Sequence, residues 1–215
     1  MRIAILTSAR SGSTSLYHLL EEILNEKKYI CVSEPFNSFW RLPTGLKLYD
    51  TTFFENKKDV LIKTFVSQLQ IPKNYINEED KYWKWFFDYF DKVILLDRKN
   101  KDLQSESLTY HLKSKDFYSW QRKQFYDLSN IGKSEIENTK QLLIKESEKR
   151  LEFSKMGYPI FYFEDLFIEK KEETISKLFS YLNLDIREDL VQKYIISDLF
   201  KIRVDDKTQR YKSLI

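Results

Sequence analysis

A chain of 215 residues, 42% hydrophobic and 32% charged, has the size and polarity of one globular domain with a full core, so a single domain over 1–215 is expected. The net charge of +3, with no dense Lys/Arg block, argues against a nucleic-acid surface and leaves an anionic ligand unrepelled. One cysteine and two histidines exclude a disulfide framework and argue against a zinc site, and no apolar run approaches the roughly 18 residues of a membrane span.

Met1 and Arg2 lead straight into an apolar strand pattern, Ile3-Ala4-Ile5-Leu6. No signal-peptide pattern precedes it, and a cytoplasmic place of work is expected. The run stops at small and hydroxyl residues around one cation, Ser8-Ala9-Arg10-Ser11-Gly12-Ser13-Thr14-Ser15. An amphipathic helix follows, with Leu16, Leu19, Leu20, Ile23 and Leu24 on one face. Strand, tight loop and helix start make an anion cradle. The first helical amides lack intrahelical acceptors, and the positive end of the dipole points at the same spot. Ser11, Ser13, Thr14 and Ser15 add hydroxyl donors, and Arg10 adds a permanent charge. A phosphate or sulfuryl group suits this spot. The plainer alternative is a Ser/Thr cap before a surface helix. A kinase loop would read G-x-x-x-x-G-K-[ST]. Here Thr7 stands at the first glycine position, no lysine follows Gly12, and the cation precedes the glycine by two residues.

Tyr29–Val32 is the second expected strand, and its Cys31 reads as an inert core residue. Ser33-Glu34-Pro35-Phe36-Asn37 comes next. A residue before proline is kept from the helical region, so Glu34 is expected to be extended, at the carboxyl edge of the sheet beside the first loop. There it can take a proton from an acceptor hydroxyl, or pair with Arg10 or Lys63. Asn37–Asn56, with Pro43 and Gly45, is either a substrate-facing loop or a plain connection. Val60–Ile62 is the third strand and delivers Lys63, a secondary site candidate.

Lys81–Phe90 is an aromatic-rich helix. Val93–Leu96 is the fourth strand and carries Asp97 and Arg98 to its carboxyl end. A helix over Asp102–Leu112 brings Ser105 and Ser107 back toward that end. An arginine fork plus a hydroxyl can grip a terminal phosphate, although Arg98 can equally pair with Asp97 or Asp102. Ser134–Phe153 opens on a capping-box pattern, Ser134-x-x-Glu137. Ile160–Phe163 is the fifth strand, and Glu164 and Asp165 are expected to cap the helix after it. Thr174–Leu182 places Ile175, Leu178, Phe179 and Leu182 on one face, and Asn183 suits a left-handed stop. Lys201, Arg203, Lys207, Arg210 and Lys212 form a cationic tail, mostly solvated, with some cations in reach of a phosphate. Short apolar runs alternating with helices argue for a parallel sheet buried on both faces, with ligands at the carboxyl ends of its strands.

Arg10-Ser11-Gly12-Ser13-Thr14 resembles the first motif of sulfotransferases that use 3′-phosphoadenosine 5′-phosphosulfate (PAPS), a [K/R]-[S/T]-G-[S/T]-[S/T] loop, at every position. The arginine form is similar to that of carbohydrate sulfotransferases and of bacterial enzymes that sulfate sugars and glycolipids. Arg98, Asn100 and Ser107-Leu108 resemble the second motif, and Glu34-Pro35-Phe36 resembles the acceptor-site element of the sugar-modifying members. Tyr158–Leu166 resembles the family's late strand and Y-E-D-L, with Phe163 in place of tyrosine. Leu178–Leu184 is similar to the next helix and its F-L-G-L ending, with Asn183 where glycine is usual. The R-K-G closing loop of the cytosolic members has no counterpart here.

The resemblance spans Arg2 to about Leu184. It implies an α/β, P-loop-like three-layer fold with a mostly parallel sheet of about five strands flanked by helices. It implies transfer of a sulfuryl group from PAPS to a hydroxyl of a carbohydrate or glycolipid, leaving 3′-phosphoadenosine 5′-phosphate (PAP), with no metal. Arg10, Ser11, Gly12, Ser13, Thr14 and Ser15 would hold the 5′-phosphosulfate, and Arg10 would stabilise the leaving oxygen. Arg98 and Ser107, with Ser105 as the rival serine, would read the 3′-phosphate. Glu34 would be the base, since His111 lies in the wrong segment for that role. The alternatives are a P-loop small-molecule kinase using ATP and a non-catalytic nucleotide-binding module.

Overall fold

The computed structural model describes residues 1–35, 57–69, 79–113 and 131–196. The Asn37–Asn56 segment and the cationic tail from Lys201 lie outside the described residues.

Five strands form one sheet: β1 (Arg2–Thr7), β2 (Ile30–Ser33), β3 (Val60–Phe65), β4 (Lys92–Asp97) and β5 (Ile160–Tyr162). Their order is β2-β3-β1-β4-β5, and every pairing is parallel. Among the described residues the α-helices are α1 (Ser13–Asn25), α2 (Glu79–Tyr89), α3 (Lys101–Lys113), α4 (Lys133–Lys155), α5 (Lys171–Leu182) and the short α6 (Glu188–Val191).

Alternation along β1 shows how the sheet is sandwiched. Ile3 and Ile5 join a core with Leu16, Leu19 and Leu20 of α1 and Leu178 of α5. Ala4 and Leu6 point the other way, into Trp83, Phe86 and Phe87 of α2 and Phe153 of α4. Successive strand residues face opposite sides, so a strand covered by helices on both faces must be apolar throughout. β1, β3 and β4 obey this rule until their carboxyl ends, where Thr7, Lys63, Thr64 and Asp97 are buried polar residues. The edge strand β2 does not: it is only partly buried, and its Ser33 is exposed. The expectation of strands buried on both faces therefore holds for the centre of the sheet, because the edges have cover on fewer sides.

Sheet order sets the location of the crevice. The chain leaves β1 through α1 toward β2 on one side, and leaves β4 through α3 toward β5 on the other. Connections that diverge from neighbouring strands open a gap at the carboxyl ends, where parallel α/β sheets bind ligands.

Three local expectations need comment. Helix α4 is capped at Gly132, two residues before the expected Ser134, and the Glu135 carboxylate accepts from the Gly132 N–H at 3.4 Å. Glycine has no side chain, so only this half of a capping box exists. Glu164 stands at the N-cap of the helical turn after it, but its side chain makes no cap bond there and serves another helix. Its carboxylate accepts from the Lys99 and Asn100 N–H groups at 2.8 and 3.0 Å, at the start of α3. Parallel pairing of β4 with β5 brings the two strand ends side by side, which sequence distance conceals. Asn183 takes the left-handed conformation expected of it (φ 54, ψ 44) and ends α5. No helix among the described residues is long and apolar enough to cross a membrane.

Candidate active site

The β1–α1 loop is shaped by two left-handed residues, Arg10 (φ 62) and Gly12 (φ 77). Gly12 is required twice over. Its backbone favours glycine, and a Cβ there would lie 2.7 Å from the Phe163 ring and 2.8 Å from the Phe167 ring. The Gly12 carbonyl accepts from the Ser15 and Leu16 N–H groups, opening α1. The amides of Ser13 and Thr14 precede the first intrahelical bond and stand at the positive end of the dipole.

The hydroxyls of the loop divide into two sets. Ser11 is fully buried and shares a 2.5 Å hydrogen bond with Thr7, so its side chain staples the loop to the end of β1. Ser13 is also buried. Thr14 is exposed and Ser15 partly so, which leaves these two to face a ligand.

Three residues named for the nucleotide meet in one place. Arg10 Nε donates to Ser107 Oγ at 2.9 Å, joining the β1 loop to α3. Arg98 Nη1 donates to the Arg10 carbonyl at 3.3 Å, and its guanidinium lies over the Phe163 ring at 4.7 Å. The carboxylate near Arg98 is that of Glu164, at 3.8 Å. The two pairings considered for Arg98 are made by other cations: Asp97 by Lys101 and Arg150, Asp102 by Lys140. Ser105 is fully buried and donates to the Asp102 carbonyl on its own helix, so Ser107 is the serine that faces Arg10. Asn100 caps α3 by accepting from the Leu103 N–H at 3.0 Å.

Beneath the loop lies a buried polar network that sequence reasoning missed. Arg150, on α4 and fully buried, donates through Nη2 to Asp97 at 2.6 Å and to Ser8 Oγ at 3.2 Å. Gln104 donates to Ser8 Oγ and to the Ala9 carbonyl at 3.0 and 2.8 Å. Lys101 donates to Asp97 at 2.6 Å, and the Ser147 hydroxyl reaches its other oxygen. Burial alone would raise the Asp97 pKa, but the Arg150 and Lys101 charges hold it below the usual carboxylate value. The available signal was spacing: Arg150 shares the apolar face of α4 with Leu143 and Phe153.

The other side of the crevice carries Glu34. It is not extended, as the following proline led us to expect; its φ is 57. Two bonds tie it to one residue. The Glu34 N–H donates to the Lys63 carbonyl at 2.6 Å, and its carboxylate pairs with Lys63 Nζ at 3.0 Å. Gln68 Nε2 donates to the second carboxylate oxygen at 3.0 Å. Gln68 is itself oriented by the Phe65 N–H and the Thr64 hydroxyl, both 3.1 Å from its Oε1. Lys63 is only 3% exposed, and its Nζ reaches Thr14 Oγ1 at 3.4 Å, which links Glu34 to the first loop.

His111 is exposed near the end of α3. Cys31 is half-buried, and burial pushes its thiol up to about 11, so it stays protonated and unreactive near neutral pH. Among the described residues, no group of three or more His, Cys, Asp or Glu side chains is gathered to hold a metal ion.

Comparison with known proteins adds no family to this geometry. No family model matches the chain, and no curated protein matches it.

Proposed function

We propose that the chain is a PAPS-dependent sulfotransferase with a P-loop-like fold, working in a cytoplasm on a hydroxyl of a carbohydrate or glycolipid. One observation carries the reading: the Arg10–Ser107 hydrogen bond, with Arg98 on the Arg10 carbonyl. It joins the two segments that resemble the nucleotide motifs of that family, at the divergence point of a parallel sheet.

The chemistry of the donor set fits a doubly phosphorylated nucleotide. Two guanidiniums, the first amides of α1 and the Thr14 and Ser15 hydroxyls are all donors, and a lysine ammonium adjoins them. The donor supplies an activated sulfuryl group. In transfer, its bond to the 5′-phosphate oxygen breaks and a bond to the acceptor oxygen forms. The acceptor proton goes to Glu34. Arg10 stabilises the negative charge left on the phosphate. To act as base, Glu34 gives up part of its contact with Lys63, which stays beside Thr14 at the donor.

Calorimetry tests the reading. PAP should bind without metal and, at about 100 times its dissociation constant, stabilise the fold by roughly 2.7 kcal/mol. Magnesium-dependent ATP binding with no PAP binding would make the chain a kinase. PAP binding without turnover on any hydroxylated acceptor would make it a binding module. Glu34→Gln tests the chemistry: turnover should fall about 10²–10⁴-fold with PAP affinity kept. Affinity lost together with rate would assign Glu34 to organising Lys63 and the loop.

A further inference from the structure

Helix α4 touches both halves of the crevice. On the donor side, Arg150 holds Asp97 and the hydroxyl of Ser8, two residues before Arg10. On the acceptor side, Glu146 Oε1 accepts from the Ser67 N–H at 3.1 Å. Ser67 belongs to the turn whose next residue, Gln68, donates to Glu34. Glu146 and Arg150 lie one helical turn apart, with Glu146 Oε2 4.0 Å from Arg150 Nη1. Burial pushes the Glu146 carboxyl above its ordinary value, against the pull of Ser67 and Arg150.

Stability alone gives little reason for this arrangement, since well-packed apolar residues commonly replace buried ion pairs at no loss. Alignment gives a better one. Group transfer needs donor and acceptor in line, and a misplacement of about 1 Å can cost roughly 10²-fold in rate. The donor loop follows β1, whereas Glu34 follows β2 and Gln68 follows β3, so the two halves need a common reference. We infer that Arg150 and Glu146 are positioning residues, through which α4 sets the separation between the donor loop and the acceptor carboxylate. The inference rests on the sulfotransferase reading for the identity of the ligands only.

Amide hydrogen exchange on the free protein reads this positioning directly. Glu146→Ala removes the acceptor for Ser67. It should speed exchange at the Phe65 and Glu34 amides about tenfold beyond any global change, and leave the Ser15 and Leu16 amides as they were. Glu146→Gln keeps an acceptor oxygen and should restore near-normal protection. Ser8→Ala, which strands no charge, should do the reverse: faster exchange at the Ser15 and Leu16 amides, which donate to the Gly12 carbonyl, and none of the change at Glu34. Arg150→Lys keeps a partner for Asp97 and should resemble Ser8→Ala. In calorimetry, Ser8→Ala should weaken PAP about tenfold and Glu146→Ala should not change it. Exchange that rises evenly over the sheet, or not at all, means that α4 only packs, and overturns the inference. A wild-type protein that fails to bind PAP removes the sulfotransferase reading, while the exchange pattern still decides the role of α4.

Discussion

The two ends of the sheet use the same kinds of charge in different ways. At the amino ends of the strands, Arg2 pairs with Asp91, their side chains 31% and 43% exposed. At the carboxyl ends, Asp97, Arg150 and Lys63 are 1%, 0% and 3% exposed. Water screens the first pair and makes it nearly dispensable. The second group has left water and depends on its partners. Ion pairs alone therefore do not mark a functional end of a fold. Buried charges at the carboxyl ends of parallel strands, tied to the loops that would meet a ligand, are the informative ones.

The contrast can be broken most forcefully at Asp97. Asp97→Asn leaves the buried Arg150 and the partly buried Lys101 around a neutral amide and should cost about 3–5 kcal/mol, read as a shift of the urea midpoint. The pH dependence follows from the direction of the shift. The folded-state pKa of Asp97 lies below the ordinary 3.8, so its contribution is present above that value. It is lost as pH falls through the folded value. Wild type should thus lose this share of stability below about pH 4, and the asparagine variant should lack that loss. A midpoint shift as small as that of a surface pair would erase the difference between the two ends.

Gly12 offers a second break. Gly12→Ala adds strain at a left-handed residue and pushes a methyl group into Phe163, and should cost roughly 1–3 kcal/mol together with PAP affinity. Gly157 is the control: its φ is 99 and nothing lies within 4 Å of an added Cβ, so Gly157→Ala should leave PAP binding unaltered.

Arg98→Ala sharpens the carboxyl end. It should weaken PAP by about 1.5–3 kcal/mol more than it weakens an analogue lacking the 3′-phosphate. Equal losses would give Arg98 to the loop carbonyl of Arg10 alone. The smallest effect belongs to the amino end. Asp91→Asn should cost no more than about 1 kcal/mol, and the cost should shrink in high salt. Thermal unfolding at two salt concentrations measures it.

Much of the fold can be read from the sequence, because strands buried on both faces have to be continuous apolar runs. Ile3–Leu6, Val60–Ile62 and Val93–Leu96 lie inside β1, β3 and β4. The candidate site is legible where it follows such a run directly, as at Arg10, Gly12 and Arg98. It is obscure where a contact depends on strand order. Glu164 serves α3 because β5 lies beside β4, and Arg150 looks like a solvated helix cation until α4 is laid across Ser8 and Asp97. Glu34 was misread for another reason. The proline rule is a local steric preference, and Glu34 departs from it at the end of β2, where it is paired with Lys63.

The tethers of the first loop also carry a consequence for biosynthesis. Arg10 meets a residue 97 positions further along, and Ser8 meets one 142 positions further. The loop leaves the ribosome ahead of α3, α4 and the aromatic rings after β5 that hold it. A nascent chain that stops before α4 carries every residue of the loop but lacks Arg150 and the Phe163 and Phe167 rings that pack beneath it. The energy of closing such long loops is recovered only when the distant helices arrive. Under the proposed function, nucleotide affinity would appear only after α4 and β5 are made, and a bound nucleotide would mark chains whose distant parts have found each other.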